Sequence, residues 1–259
     1  DVYKRQIQLL KRALKAQKNS SRAVVIAARL RRLGQDAAAE QLLRGAFSGE
    51  RKLVALRALR HDPVPAVAAK VEALARDRRQ SGPVRVAAIH AVASLARKAA
   101  PLYSALRTAD RTIRIAAAQA LSRFPGDRRG ASHRLLHAAR KDRRELGAAV
   151  AAALIKIGYK RLLKPVAKLI AGLSPADQAR LAAGLPAAYG SASLPLLQRM
   201  LGSKDPALQR AARAALVSLP DAEAKLLLSS HPAPPPPVGP QRSKLESLIE
   251  LASKLRKGS

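Results

Sequence analysis

Asp110-Arg111-Thr112-Ile113-Arg114-Ile115-Ala116-Ala117-Ala118-Gln119-Ala120-Leu121 is the stretch from which the fold is read. Asp110 has a carboxylate able to accept hydrogen bonds from the unpaired N–H groups of a helix's first turn. Leu121, eleven positions on, is an apolar anchor, and Ala120 before it is small. The same pattern recurs along the chain. Anchors stand at Leu30, Leu59, Val92, Leu121, Leu154, Leu185 and Leu216, spaced 29, 33, 29, 33, 31 and 31 residues apart. Ala58, Ala91, Ala120, Ala153, Gly184 and Ala215 precede six of them, and Arg29 precedes the other. Eleven positions before each anchor lie Asn19, Ser48, Ser81, Asp110, Arg143, Ser174 and Asp205, all able to cap a helix except Arg143.

Between these capped helices lie shorter apolar-periodic segments, at about 7–17, 36–47, 64–77, 99–108, 131–141, 159–171 and 191–201. Gly34, Gly126, Gly158, Gly190 and Gly202 stand where helices should stop. No alternating stretch rich in β-branched and aromatic residues occurs, so no strand is predicted. The expected fold is all-α: about seven antiparallel helix pairs, none able to bury its apolar face alone.

The 110–121 stretch resembles the second helix of a HEAT repeat, with Asp, a Val-Arg-like step, paired Ala and then Ala-Leu. Ser81-Gly82-Pro83-Val84-Arg85-Val86-Ala87-Ala88 and Asp205-Pro206-Ala207-Leu208-Gln209-Arg210-Ala211-Ala212 are similar. The likeness covers about residues 7–220, and the first two pairs lack the Val-Arg step. It implies an α-solenoid with a right-handed superhelix, an armadillo-like fold whose members serve as binding scaffolds.

Outside 7–220 the character changes. Residues 1–6 resemble the translation of a sequencing adapter and are expected not to be native. Residues 221–229 read as a short terminal helix. The stretch 230–242 is a proline-rich linker, with six prolines between His231 and Pro240. Ser243 then caps an amphipathic helix to residue 257, whose Leu245, Leu248, Ile249 and Leu255 form a face for docking on the stack or on a partner. No run approaches the roughly 20 apolar residues of a membrane span, and a cytoplasmic, bacterial protein is expected.

Charge points to function. The chain has 49 Lys+Arg against 17 Asp+Glu, a net of +32. Residues 1–170 hold 38 basic and 11 acidic residues, a net of +27. Cations are disfavoured in a helix's first turn by the macrodipole. Yet the starts of the second helices carry Arg51, Lys52, Arg85, Arg111, Arg114, Arg143 and Arg144, and Arg128 and Arg129 stand in a linker. These nine are the expected contacts to nucleic-acid phosphates along one edge. The ligand is expected to be duplex DNA or structured RNA, because stacking on single strands needs aromatics and the chain has four Tyr, two Phe and no Trp. An acidic protein partner is the alternative.

Catalytic motifs are absent. Without cysteine there is no thiolate metal site or thiol nucleophile. His133 and His137 have metal-compatible spacing but basic neighbours, so no metal and no cofactor is expected. A HEAT-like DNA glycosylase family is similar in size and charge, but relies on tryptophans that this chain lacks; a likeness to HEAT-like bilin lyases is weaker still. The expected task is non-enzymatic.

Overall fold

The computed structural model describes residues 2–16, 21–32, 45–47, 51–95 and 99–232, and among them every regular element is helical. The helices are α1 (Val2–Ala16), α2 (Ser21–Arg32), α3 (Lys52–Leu59), α4 (Ala68–Arg76) and α5 (Gly82–Leu95). Next come α6 (Ala100–Ala105), α7 (Arg111–Leu121), α8 (Arg128–Lys141), α9 (Arg143–Ile157) and α10 (Leu163–Ile170). The series ends with α11 (Pro175–Ala182), α12 (Leu185–Tyr189), α13 (Leu194–Leu201), α14 (Pro206–Val217) and α15 (Ala222–Ser230). The protein is all-α. None of these helices is long and apolar enough to cross a membrane.

All seven anchors, from Leu30 to Leu216, are 0% exposed. The helices carrying them touch in order, α2 on α3, α3 on α5, α5 on α7 and α7 on α9. From there α9 packs on α11 and α12, and both of these pack on α14. The small residues beside the anchors sit in these contacts; Ala91 and Ala120 are wholly buried, and Ala153 and Ala215 nearly so. Several helices adjacent in the chain also touch, α1 with α2, α4 with α5, α6 with α7, α8 with α9 and α13 with α14, whereas α10 packs on α9 rather than on α11.

Capping sets where the helices begin. Asp110 accepts from the Thr112 and Ile113 N–H groups at 2.9 and 3.2 Å, and Asp205 from Ala207 and Leu208 at 2.8 and 3.0 Å. Ser174 accepts from the Asp177 N–H at 3.2 Å and donates its hydroxyl to the Asp177 carboxylate. Arg143, the one position of the cap column unable to cap, stands just after the cap that α9 uses. Asp142 accepts the Glu145 N–H at 3.2 Å, because a carboxylate can take that hydrogen bond and a guanidinium cannot. Asp127 likewise caps α8 from the Gly130 N–H, so this helix starts three residues before its expected position at 131.

Other boundaries shift for equally local reasons. The helical stretch from Pro175 to Tyr189 is split into α11 and α12, since Pro186 has no N–H for the Ala182 carbonyl. Short 3₁₀ turns at Pro65–Val67, Lys160–Leu162 and Gly190–Ser193 lead into α4, α10 and α13. The terminal helix expected at 221–229 is α15, capped by Asp221, and α1 runs unbroken from Val2. Most of the segment 36–47, the caps at Asn19 and Ser48, and the 243–257 helix with Leu245, Leu248, Ile249 and Leu255 lie outside the described residues.

Two glycines at helix ends make a direct test. Gly158 has φ 74°, whereas Gly202 has φ −78°, and an added Cβ would meet nothing nearer than 3.8 Å at either. Only backbone conformation separates them. Gly158→Ala should therefore lose about 1 kcal/mol in chemical denaturation, and Gly202→Ala should gain up to about 1 kcal/mol. Leu121→Ala, in the middle of the anchor column, should cost about 2–5 kcal/mol in the same assay.

Candidate functional site

From α4 to α9, short connections join touching helices and reverse the chain direction, so this run of helices has two edges. On one, the ends of α6 and α8 meet the starts of α7 and α9, and residues from all four line a common cavity. The other edge holds the ends of α3, α5, α7 and α9.

The nine expected phosphate contacts do not share an edge. Arg111 and Arg144, in the first turns of α7 and α9, are exposed and make no ion pair among the described residues. Arg128 and Arg129 are exposed too, but they open α8, which runs against α7 and α9 and places them on the opposite edge. Arg51 is half-buried before α3, and Lys52 donates to the Gln80 side chain at 3.2 Å.

Arg85, Arg114 and Arg143 are engaged in holding helices together. Arg114, 17% exposed, donates to Asp142 at 2.7 Å and to Glu145 at 2.5 Å. Asp142 also caps α9, so one carboxylate ties the start of α9 to α7. Desolvation works against the Asp142 charge, yet the Glu145 N–H and the Arg114 guanidinium together hold its carboxyl below the usual range. Arg85, 12% exposed, lies 3.9 Å from Asp110, the cap of α7, which is the same linkage one step earlier. Arg143 turns back to donate to the Lys168 and Leu169 carbonyls at 2.5 and 3.4 Å, satisfying groups in the last turn of α10.

Beside Arg114 a cavity of about 340 Å³ opens, lined by Tyr103, Arg107, Arg134, His137 and Lys141 among others. The Arg134 guanidinium lies 5.6 Å from the Tyr103 ring centre. The Tyr103 hydroxyl is buried without a hydrogen-bond partner, and burial pushes its pKa up. His133, the other member of the pair, is exposed on α8. Among the described residues no three His, Asp or Glu side chains gather as metal ligands.

The opposite edge carries a group that sequence reasoning passed over. Arg60 follows α3, Arg123 follows α7 and Lys156 lies in the last turn of α9; all three are exposed and make no ion pair among the described residues. His90 of α5 lies half-buried between them, its Nδ1 without a partner. Burial, then Arg60 and Arg123, push the His90 pKa down to about 4. Burial and Arg60 lower Arg123, and burial, Arg123 and Arg60 lower Lys156. The available signal was the position just past each anchor. A cation there has a ready structural reason, because the macrodipole favours it at a helix C-terminus. No family model matches the chain, and no curated protein matches it.

Arg114→Gln should cost about 1–3 kcal/mol by leaving Asp142 and Glu145 unpaired, while Arg111→Gln should stay within about 0.5 kcal/mol in the same denaturation series. His90 supplies a pH test. Its folded pKa lies below the ordinary 6.5, so the unfolded chain binds more protons between about 6.5 and about 4. Stability should fall as pH drops through that window, and His90→Gln should flatten that part of a Tm–pH curve.

Proposed function

We propose that the chain is a HEAT-like α-solenoid of about seven helix pairs that binds the phosphate backbone of duplex DNA or structured RNA without catalysing a reaction. One observation carries this reading: the described acids of the basic two-thirds are already committed. Asp62, Glu72, Asp110, Asp142 and Glu145 are in ion pairs with arginines. Asp77 and Asp127 accept from backbone N–H groups. Exposed cations such as Arg107, Arg111, Arg134, Lys141 and Arg144 are left to a ligand from outside. A duplex backbone suits them, since its phosphates need only Arg and Lys. Base stacking is ill served, because the ring of Tyr103 already faces Arg134.

The interface of this proposal is the edge with Arg111, Arg144 and the Tyr103 cavity, with Arg85, Arg114 and Arg143 as its support. Fluorescence anisotropy with a labelled duplex and a structured RNA across a salt series tests it. Neutralising roughly 6–10 phosphates predicts a slope of log K against log salt of about −5 to −9. Arg111→Gln with Lys141→Gln and Arg144→Gln should flatten the slope by roughly one per charge removed, at unchanged Tm. Absence of DNA and RNA binding at about 50 mM salt, where phosphate contacts are strong, defeats the reading and turns the search to an acidic protein partner.

A further inference from the structure

The second edge holds positive charge that the proposed interface does not use. Arg60, Arg123 and Lys156 come from helices that touch in series, α3 and α7 through α5, and α7 directly to α9. They stand at equivalent places, one or two residues beyond the anchors Leu59, Leu121 and Leu154. The intervening helix α5 contributes His90 two residues before Val92, and Ser94, whose hydroxyl donates to the Arg60 carbonyl at 3.3 Å. That hydrogen bond fixes the backbone of Arg60 against α5. None of the three cations has an acidic partner among the described residues, and Nδ1 of the half-buried His90 is buried and unsatisfied.

Such a group opposes folding unless something offsets it. Helix C-terminal carbonyls supply part of the compensation. Burial, and after it Arg60, lowers the Arg123 pKa, and burial, Arg123 and Arg60 lower that of Lys156, so the three cations are near enough to act on one another. Two guanidiniums and an ammonium at equivalent ends of neighbouring helices form a donor set for anionic oxygens, planar and bidentate from the arginines and a point charge from the lysine.

We propose that Arg60, Arg123 and Lys156, beside His90, form a binding site for linked phosphoryl groups, separate from the Arg111–Arg144 edge. The ligand chemistry is a run of phosphate oxygens, supplied either by a free oligophosphate or by consecutive backbone phosphates of a nucleic acid. At neutral pH the His90 imidazole is uncharged, so the three cations bring the charge.

The test compares the full chain with a variant carrying Arg60→Gln, Arg123→Gln and Lys156→Gln, using inorganic tripolyphosphate and a labelled duplex at low salt. Without ligand, the variant should melt at or above the wild-type temperature, because neutralisation removes repulsion and no internal partner is lost. Tripolyphosphate should raise the wild-type Tm by several degrees and leave that of the variant unmoved. If the variant also binds the duplex at least tenfold more weakly, backbone phosphates are the source. Unchanged duplex affinity with lost tripolyphosphate protection assigns the site to a free oligophosphate. Should neither protein bind duplex or RNA, tripolyphosphate protection confined to the wild type still upholds this site while the nucleic-acid reading fails. Equal protection of both proteins overturns the proposal. So does an unliganded variant that melts well below wild type, since that marks the cations as structural.

Discussion

Leu59, Val92, Leu121 and Leu154 are removed from water where α3, α5, α7 and α9 lie side by side, and Ala58, Ala91, Ala120 and Ala153 keep those helix backbones close. This contact constrains everything else. No helix here could bury its stripe alone, and the chain has too few aromatic residues to fill a gap between distant helices. Close approach through small side chains is therefore the way a core of Ala, Leu, Val and Ile reaches the density of a folded interior. It also sets the spacing at which side chains at equivalent positions of neighbouring helices meet, and so which charges attract and which repel.

The charge arrangement follows from that spacing. Carboxylates are scarce, and each described one in the basic region serves the fold. Asp142 and Asp110 do so twice, capping their own helix and receiving an arginine from the helix before. A partly buried Arg114 with two carboxylate partners is well satisfied, and removing either side would strand the other. Because acids are spent in this way, the remaining cations collect at the helix ends unopposed. Those at C-terminal ends gain from the macrodipole and those in first turns do not, so the two edges differ in kind. One surrounds a cavity with a buried hydroxyl; the other is a bare cluster beside an imidazole that burial and its neighbours keep neutral.

Much of this was legible in the amino-acid sequence, and the reason is that caps and anchors are local. Asp110, Ser174 and Asp205 act on N–H groups two or three residues away, and a periodic apolar column needs only its own spacing to be seen. All-α character and the burial of Leu30 through Leu216 follow from such short-range rules. Arg143 is the exception in the cap column because the cap of its helix, Asp142, stands one residue earlier. The division of α11 from α12 was present in Pro186 but gave way to the pattern around it.

The fate of each arginine was not local. Arg111 and Arg114 stand three residues apart in one helix and look alike in sequence, yet one makes no ion pair among the described residues and the other meets carboxylates 28 and 31 residues further on. Arg128 and Arg144 looked like neighbours on one border until the reversal of α8 put them on opposite ones. Nothing near His90 in the chain announces Arg60 or Arg123. Sequence determined where the helices lie and which stripe each one buries, because hydrogen bonding and apolar periodicity act within a few residues. Tertiary structure alone decided which charges are spent and which are left over, because Coulomb interactions depend on distances that exist only once the helices are side by side.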